Sequence, residues 1–397
     1  MSRSFSVRRL GRRPPRAIVS PVYALRRGKR LLGGEGCAPS TVPAVGFEDL
    51  LAGWEGEHAV VRYDAESAAW MFVCVHSTAL GPAGGGTRMR VYPTPADGLA
   101  DAMRLSGAMT WKMAGAGMPR GGGKAVLAVP ELPLGEPRKR LLRRYGELVA
   151  SLGGSYRTAG DMNISPEDLD VVAETCPWVY GTTSGGGNSG RGTARGALHA
   201  IRATVEHLFG SPELSGRSVL VQGAGSVGAV LARELADAGA RVLASDVDES
   251  RAADTGCETV PPDRVLETEV DVYSPCAVGG ILDADSIPRL ACRAVAGCAN
   301  NQLAEPEDAD RLHERGILYA PDYVVNAGGI IQLIGLEDEG WDEVQLEARL
   351  AGIGDTLRTL FAEAAAAGIT PAEAADRLVR RRLSAKAAGS QEPPAGI

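Results

Sequence analysis

Two lysines, Lys112 and Lys124, stand twelve residues apart in Met109–Val126, a stretch of small residues that includes the triple glycine Gly121-Gly122-Gly123. Burying an unpaired ammonium is costly, so lysines ordinarily lie on solvated surfaces. Lys124 instead ends a glycine run, where backbone approaches a ligand closely, and opens the apolar strand pattern Ala125–Val129. Two plain surface lysines flanking a loop are the bland alternative. Downstream, Asp161 follows a short strand pattern and precedes the helix start Ser165-Pro166. Catalytic carboxylates in α/β proteins often occupy such connections, and so do turn and cap residues; the spacing alone leaves both open.

A second chemistry lies further on. Gly223-Ala224-Gly225-Ser226-Val227-Gly228 is G-x-G-x-x-G with a strand pattern before it (Arg217–Val221) and a helical pattern after it (Val230–Ala238). An acidic residue, Asp246, ends the next strand pattern, Arg241–Ala244. In this βαβ frame the glycines permit a tight turn and let a pyrophosphate reach the helix N-terminus, while the acid bonds the adenosine ribose. A carboxylate there repels a 2′-phosphate, so NAD is expected rather than NADP. Asp248 is the weaker candidate for the same role.

Around these residues the pattern predicts an α/β protein. A short helix is expected from Val42 to about Trp54, then strands His58–Tyr63 and Trp70–His76, then a glycine-rich loop, Leu80–Met89, ending in arginine. Thr94-Pro95 starts a helix on which Leu99, Met103, Ser106 and Met109 fall at helical spacing, placing Lys112 near its end. Glu136–Ser151 reads as another helix, and the glycine-rich Gly181–Gly192 as a linker. After the nucleotide fingerprint, strands are expected at Val270–Tyr273, Ala294–Ala296 and Ile317–Tyr319. Each runs into amides, cysteines or glycines where a doubly wound sheet holds its ligand. The expected organisation is a basic, disordered extension (1–40), a substrate domain (41–185) and a Rossmann domain (186–330). C-terminal helices returning to the first domain (331–388) and a frayed tail (389–397) complete it.

At 397 residues, 44% hydrophobic, the chain has material for two cores. The net charge of -7 argues against nucleic-acid binding, but residues 1–30 carry ten basic groups and no acidic one. That start could serve as a transit peptide or a nucleic-acid arm; Pro14-Pro15 and Pro21 favour a disordered extension or a start codon chosen too far upstream. No apolar run has the length of a membrane span. Seven cysteines without a C-x-x-C pair fit reduced thiols in a cytoplasm, with neither disulfide framework nor metal site.

Together the motifs resemble the Glu/Leu/Phe/Val amino acid dehydrogenases, in the leucine, valine and phenylalanine branch, from about residue 55 to 385. They are Gly81-Pro82-Ala83-Gly84-Gly85-Gly86-Thr87-Arg88, Met109-Thr110-Trp111-Lys112, Gly121–Lys124, Thr158-Ala159-Gly160-Asp161, the nucleotide fingerprint, Ser274-Pro275-Cys276-Ala277, Ala299-Asn300-Asn301-Gln302-Leu303 and Pro321–Gly329. The resemblance implies NAD-dependent, reversible deamination of an L-amino acid to the 2-oxo acid and ammonia by a homo-oligomer. It casts Lys112 as the partner of the substrate carboxylate and Lys124 as the catalytic lysine, its pKa lowered by desolvation and by neighbouring Lys112. Asp161 becomes the proton shuttle. Gly84, Gly85, Ala159, Asn301, Ile330 and Leu333 are expected at the substrate. Gly223, Gly225, Ser226, Val227, Gly228, Asp246, Thr193, Cys276, Ala277, Asn300 and Asn326 are expected at the cofactor.

The glutamate branch of this family has a lysine and a serine where this chain has Gly84 and Leu333, so an apolar substrate side chain is expected. Gly84 leaves room for an aromatic ring. Two departures stand out. Met162-Asn163-Ile164 replaces the usual Val-Gly-Thr and is similar to tryptophan dehydrogenase-like members, and the linker before Thr193 lacks the usual prolines. A catalytically silent, nucleotide-binding paralogue is disfavoured by the intact Lys112, Lys124 and Asp161. A hydroxy-acid dehydrogenase is disfavoured by the absence of a histidine–acid pair.

Overall fold

The computed structural model describes residues 4–8 and 46–389. Its first sheet comprises β1 (Ser4–Arg8), β2 (His58–Asp64), β3 (Ala69–Ser77), β4 (Ala83–Arg90), β5 (Gly121–Ala128) and β6 (Tyr156–Gly160), in the order β1-β2-β3-β5-β4-β6. The pairs from β1 to β5 are antiparallel, whereas β5, β4 and β6 run parallel. Helices α1 (Phe47–Gly53), α2 (Pro95–Gly115), α3 (Gly135–Ala150) and α4 (Pro166–Ala173) accompany it.

The second sheet is wholly parallel: β7 (Ser218–Gln222), β8 (Arg241–Ser245), β9 (Glu258–Thr259), β10 (Val270–Pro275), β11 (Cys292–Val295) and β12 (Leu318–Tyr319). Its order, β9-β8-β7-β10-β11-β12, is the doubly wound dinucleotide arrangement, with the reversal of direction between β7 and β10. Helices α5 (Gly190–Phe209), α6 (Gly228–Asp237), α7 (Glu249–Ala253), α8 (Asp308–Glu314), α9 (Asp322–Val325), α10 (Gly328–Glu337), α11 (Glu343–Ala367) and α12 (Pro371–Gly389) complete the chain. The fold is therefore α/β in two domains, as expected.

The structure differs from the sequence expectation at three places. Leu80–Met89 is not mainly a loop, because Ala83–Arg90 forms the interior strand β4. Its glycines, and those of β5, serve close approach. A Cβ on Gly85 would overlap the Gly123 carbonyl, and one on Gly122 would overlap the Thr110 backbone nitrogen of α2. Second, Ser4–Arg8, inside the expected disordered extension, pairs with β2, Phe5 opposite Val61 and Val7 opposite Ala59. Its alternating Ser-Phe-Ser-Val pattern is strand-like. The rest of that extension and the tail after Gly389 lie outside the described residues.

Third, the C-terminal helices divide. Only α12 returns to α2, packing Val379 and Leu383 against Trp111 and Ala114. Helix α11 lies along α5, tied by His199–Glu347 and Glu206–Arg358. Its Ile353 leaves no room for a side chain at Gly196, where a Cβ would come within 2.6 Å. Small residues on α5 (Gly196, Ala200, Ala203) and a leucine stripe on α11 explain why these two surfaces choose each other.

Helix α2 presents Lys112 and is fixed at both ends. Thr94 and Asp97 form a capping box at its start. At its end the Arg382 guanidinium of α12 donates to the carbonyls of Ala114 and Gly115 at 2.6 and 2.8 Å, satisfying groups that a helix leaves unpaired. The glycine floor predicts a sharp asymmetry. Gly122→Ala must push α2 off the sheet and is expected to destabilise by about 2–3 kcal/mol in denaturant titration. Gly53→Ala, where a Cβ meets open space, should leave stability unchanged or slightly raised.

Candidate active site

Strand register puts the reactive residues on one face of the first sheet. Gly84 pairs with Gly122 on β5 and with Arg157 on β6, and Gly86 pairs with Ala159. Side chains alternate along strands, so Gly84, Gly86, Gly122, Lys124, Arg157 and Ala159 share that face, beneath α2. The opposite face carries Thr87 and Thr158, whose hydroxyls are closed into a buried network with the Tyr145 hydroxyl of α3.

On the glycine face the Lys124 ammonium lies 2.5 Å from the Asp161 carboxylate, with Lys124 only 6% exposed. Burial pulls the Lys124 pKa down against the pull of Asp161, and repulsion from Arg88 adds to the fall. The same burial opposes ionisation of Asp161, but Lys124 and Arg88 override it and hold the carboxyl at about 2. Arg88 reaches Asp161 at 3.2 Å and Asp101 of α2 at 2.9 Å, so it braces the pair from outside. A lysine so placed, once neutral, can act as a base at mildly alkaline pH, and the adjacent carboxylate can relay a proton.

Lys112, in the last turn of α2, donates to Asn300 Oδ1 at 2.9 Å. Burial brings its pKa down to about 8, Asp322 pulls it back up, and Lys124 depresses it further. The two lysines therefore repel each other, but the cation that bears on Lys124 most is Arg88 and not, as expected, Lys112. Asp322 is locked under Lys112 by the backbone N–H groups of Gln302 (3.1 Å) and Tyr323 (2.7 Å).

The second sheet offers its nucleotide loop at the reversal between β7 and β10. Gly223 has φ 100°, a left-handed conformation, and a Cβ there would lie 2.7 Å from that of Ala277. A Cβ on Gly228 would overlap the Gly223 carbonyl, whereas Gly225 faces open space beside exposed Ser226, at the start of α6. Such a cradle fits a pyrophosphate. Asp246 directly follows β8, its carboxylate accepting from Ala224 N (2.7 Å) and Asp248 N (2.9 Å), which fixes it beside the loop. Asn326 donates to Asn300 Oδ1 (3.0 Å) and Cys298 O (3.3 Å), while its buried Oδ1 has no partner among the described residues. A buried unpaired amide oxygen at this junction fits a ligand that brings a donor. Cys276 and Ala277 flank the glycines, and Thr193, in the first turn of α5, turns its hydroxyl to Ser189 O at 3.0 Å.

The structure thus joins Lys124 to Asp161 and Lys112 to Asn300 and Asn326. Asn300, expected at the cofactor, accepts from Lys112, and Asn301, expected at the substrate, follows it in a left-handed turn at φ 52°; both are exposed. Leu333, on α10, reaches Gly181 and Gly186 of the linker, which brings it into the apolar cluster with Ala159, Met113 and Tyr180; Ile330 packs at its edge. Sequence reading passed over Arg88, Asp101, Asp322 and Asp338. Arg88 alone gave a signal, as the charged end of a glycine run.

The Asn163 departure keeps the local backbone. Asn163 sits at φ 60°, a region that asparagine and glycine both adopt readily, and it donates to Met89 O at 3.0 Å.

A parallel sheet with a pyrophosphate cradle, facing a buried lysine–aspartate pair on a second domain, defines a two-domain α/β dehydrogenase. Residues 61–184 match the Glu/Leu/Phe/Val dehydrogenase dimerisation domain, and residues 244–375 match Glutamate/Leucine/Phenylalanine/Valine dehydrogenase. The chain is 43% identical to the valine dehydrogenase of Streptomyces virginiae over 83% of its own length and 94% of that protein. It is 37% identical to the leucine dehydrogenase of Thermoactinomyces intermedius over 84% and 93%. The crystal structure of L-tryptophan dehydrogenase from Nostoc punctiforme superposes with a TM-score of 0.73 at 36% identity, covering 84% of this chain and 97% of that one. The chain belongs to the Glu/Leu/Phe/Val dehydrogenase family and is an amino acid dehydrogenase.

The bracing of Asp161 yields a titration test. In Arg88→Met the burial of Asp161 is opposed only by Lys124 and the Met162 backbone N–H, so its carboxyl pKa should rise above that of the wild type in a carboxyl NMR titration. An unchanged pKa would remove Arg88 from the electrostatics of the pair.

Proposed function

We propose that the chain catalyses the NAD-dependent, reversible oxidative deamination of an apolar L-amino acid, yielding the 2-oxo acid and ammonia. The observation that carries this reading is the buried Lys124–Asp161 pair beside Lys112, on a face that the nucleotide-binding domain closes through Asn300. Lys112 binds the substrate α-carboxylate. Asp161 takes a proton from the substrate ammonium group; NAD held by the second domain would supply the acceptor for the hydride of Cα. Neutral Lys124 deprotonates the water that attacks the resulting iminium carbon, and Asp161 returns a proton to the departing nitrogen. The balance is amino acid, NAD⁺ and water to 2-oxo acid, ammonium, NADH and a proton.

Gly223, Gly225, Ser226, Val227 and Gly228 would hold the pyrophosphate, with Asp246 on the adenosine ribose. Cys276, Ala277, Thr193, Asn300 and Asn326 would flank the nicotinamide end. The carboxylate of Asp246 favours NAD because a 2′-phosphate would meet its negative charge.

An apolar substrate is supported by what the pocket face lacks. Gly84 and Leu333 offer no group for a side-chain carboxylate, and Arg157, which shares the face, is already engaged by Asp338 and stacked against Trp178 and Tyr180. Branched aliphatic substrates are the primary reading, in line with the valine and leucine dehydrogenase relatives. Aromatic substrates are the second, supported by the similarity to a tryptophan dehydrogenase. A homo-oligomer is expected, since residues 61–184 match a dimerisation domain. No helix among the described residues is long and apolar enough to cross a membrane.

Purified protein should reduce NAD with at least one of Val, Leu, Ile, Phe and Trp; no NADH formation across that panel would overturn the reading. Lys124→Ala should lower kcat by about 10²–10⁴-fold while NAD still binds. In the wild type, kcat/KM for deamination should rise with pH and level off below the ordinary lysine value, because the base form of Lys124 is required and its pKa is depressed. Asp246→Ala should weaken NAD and narrow the preference over NADP; an unchanged ratio would remove Asp246 from that role.

A further inference from the structure

The pocket floor is nearly bare: Gly84, Gly86 and Ala159 contribute almost no side chain, so whatever projects over them sets the space left for a substrate. Helix α2 crosses this floor with Thr110 above Gly122 and Met113 above Gly84, two residues that share a helix face at i, i+3. The Met113 Cε methyl lies 3.1 Å from the position a Cβ on Gly84 would take. The space left by the missing side chain at position 84 is therefore filled from the other side. Met113 is only 2% exposed and belongs to the apolar cluster that includes Ala159, Tyr180 and Leu333. It also follows Lys112 directly, so its Cα is fixed relative to the group that would anchor the substrate carboxylate.

We propose that Met113 is the specificity-determining wall of the side-chain pocket, taking the place of a side chain at position 84 and limiting the pocket to branched aliphatic substrates. This rests on the amino acid dehydrogenase reading above. A substrate held at Lys112, with its nitrogen at Lys124 and Asp161, extends its side chain over Gly84 and Ala159 under Leu333. There it meets the thioether. On this proposal the room that Gly84 leaves, expected to suit an aromatic ring, is taken by Met113. Methionine is unbranched and fills irregular gaps, so the wall yields to a slightly larger aliphatic chain more readily than to a planar ring.

The test compares kcat/KM for phenylalanine with kcat/KM for valine in the wild type and in two trimmed variants, Met113→Ala and Met113→Cys. Removing methylene groups from a hydrophobic pocket wall changes discrimination by about 10–200-fold. The Phe/Val ratio should therefore rise at least tenfold in Met113→Ala and by a smaller factor in Met113→Cys, whereas Met113→Leu, similar in volume, should stay within about twofold of wild type. If the alanine variant does not fold, as judged by circular dichroism and Tm, the cysteine variant carries the test with a smaller cavity. A folded, active trimmed variant whose Phe/Val ratio equals that of the wild type overturns the proposal. Wild-type protein inactive on the whole apolar panel overturns the functional reading instead, so the two failures are distinct.

Discussion

The rest of the structure depends on keeping Lys124 out of water while it pairs at 2.5 Å with the half-buried Asp161. Such a pair is poor stabilisation by itself, because the desolvation of two charges offsets most of their attraction, and removing one partner strands the other at a cost of about 3–5 kcal/mol. What the arrangement supplies is a lysine whose proton is loosely held. Several features exist to make this tenable. The glycines of β4 and β5 let backbone approach backbone, so α2 can lie flat over the pair and exclude solvent. Arg88 then supplies a second positive charge to Asp161, which keeps the carboxylate ionised without taking Lys124 out of reach.

The opposite domain is part of this site. Asn300, itself held by Asn326, accepts from Lys112 at the C-terminal end of the second sheet, and Asp322, at the start of α9, favours the charged form of that lysine. The orientation of the two sheets is secured away from the chemistry. Asp338, at the end of α10, is gripped by Arg120, Arg157 and the Tyr180 hydroxyl, and Glu337 accepts from the backbone N–H groups of Gly181 and Gly186. Helix α12 adds a third tie through Trp111 Nε1 to Asp376 at 3.1 Å. Since α10 also carries Leu333, the contacts that hold the domains together position the far side of the pocket.

Local signals in the sequence were enough for the second sheet. The fingerprint glycines, the helix after them and the acid ending the next strand all act over short distances, and each lies where its pattern placed it. The capping box at Thr94 and the helix starting after Ser165 were equally legible. Glycine-rich β4 was read as a loop because glycine is a breaker by propensity. Its strand character comes from neighbours distant in sequence, which need its missing side chains. Arg88, Asp322 and Asp338 escaped notice for a related reason. Each is an ordinary charged residue until the fold brings a partner 13 to 218 residues away, as with Arg88–Asp101 and Arg120–Asp338. Residue 84 shows the same limit in reverse: the sequence revealed a missing side chain, but only the packing of α2 shows Met113 in that space.

The two lysines are less separate than their proposed roles imply. With no substrate, Lys112 sits near a pKa of about 8, so above that pH much of its population is neutral. In the proposed reaction an incoming carboxylate favours the charged form, so binding in alkaline solution draws a proton onto Lys112 while Lys124 must shed one to act as base. Asp322 favours the charged form of Lys112 and Asp161 that of Lys124. Asp322 lies under Lys112, fixed by backbone donors, whereas Asp161 shares its charge between Lys124 and Arg88. A bound carboxylate would offset the Lys112 charge, so what loosens the Lys124 proton is its own burial and the repulsion of Arg88. In the proposed reaction the two lysines part company because Asp161 is shared with Arg88, whereas Asp322 faces Lys112.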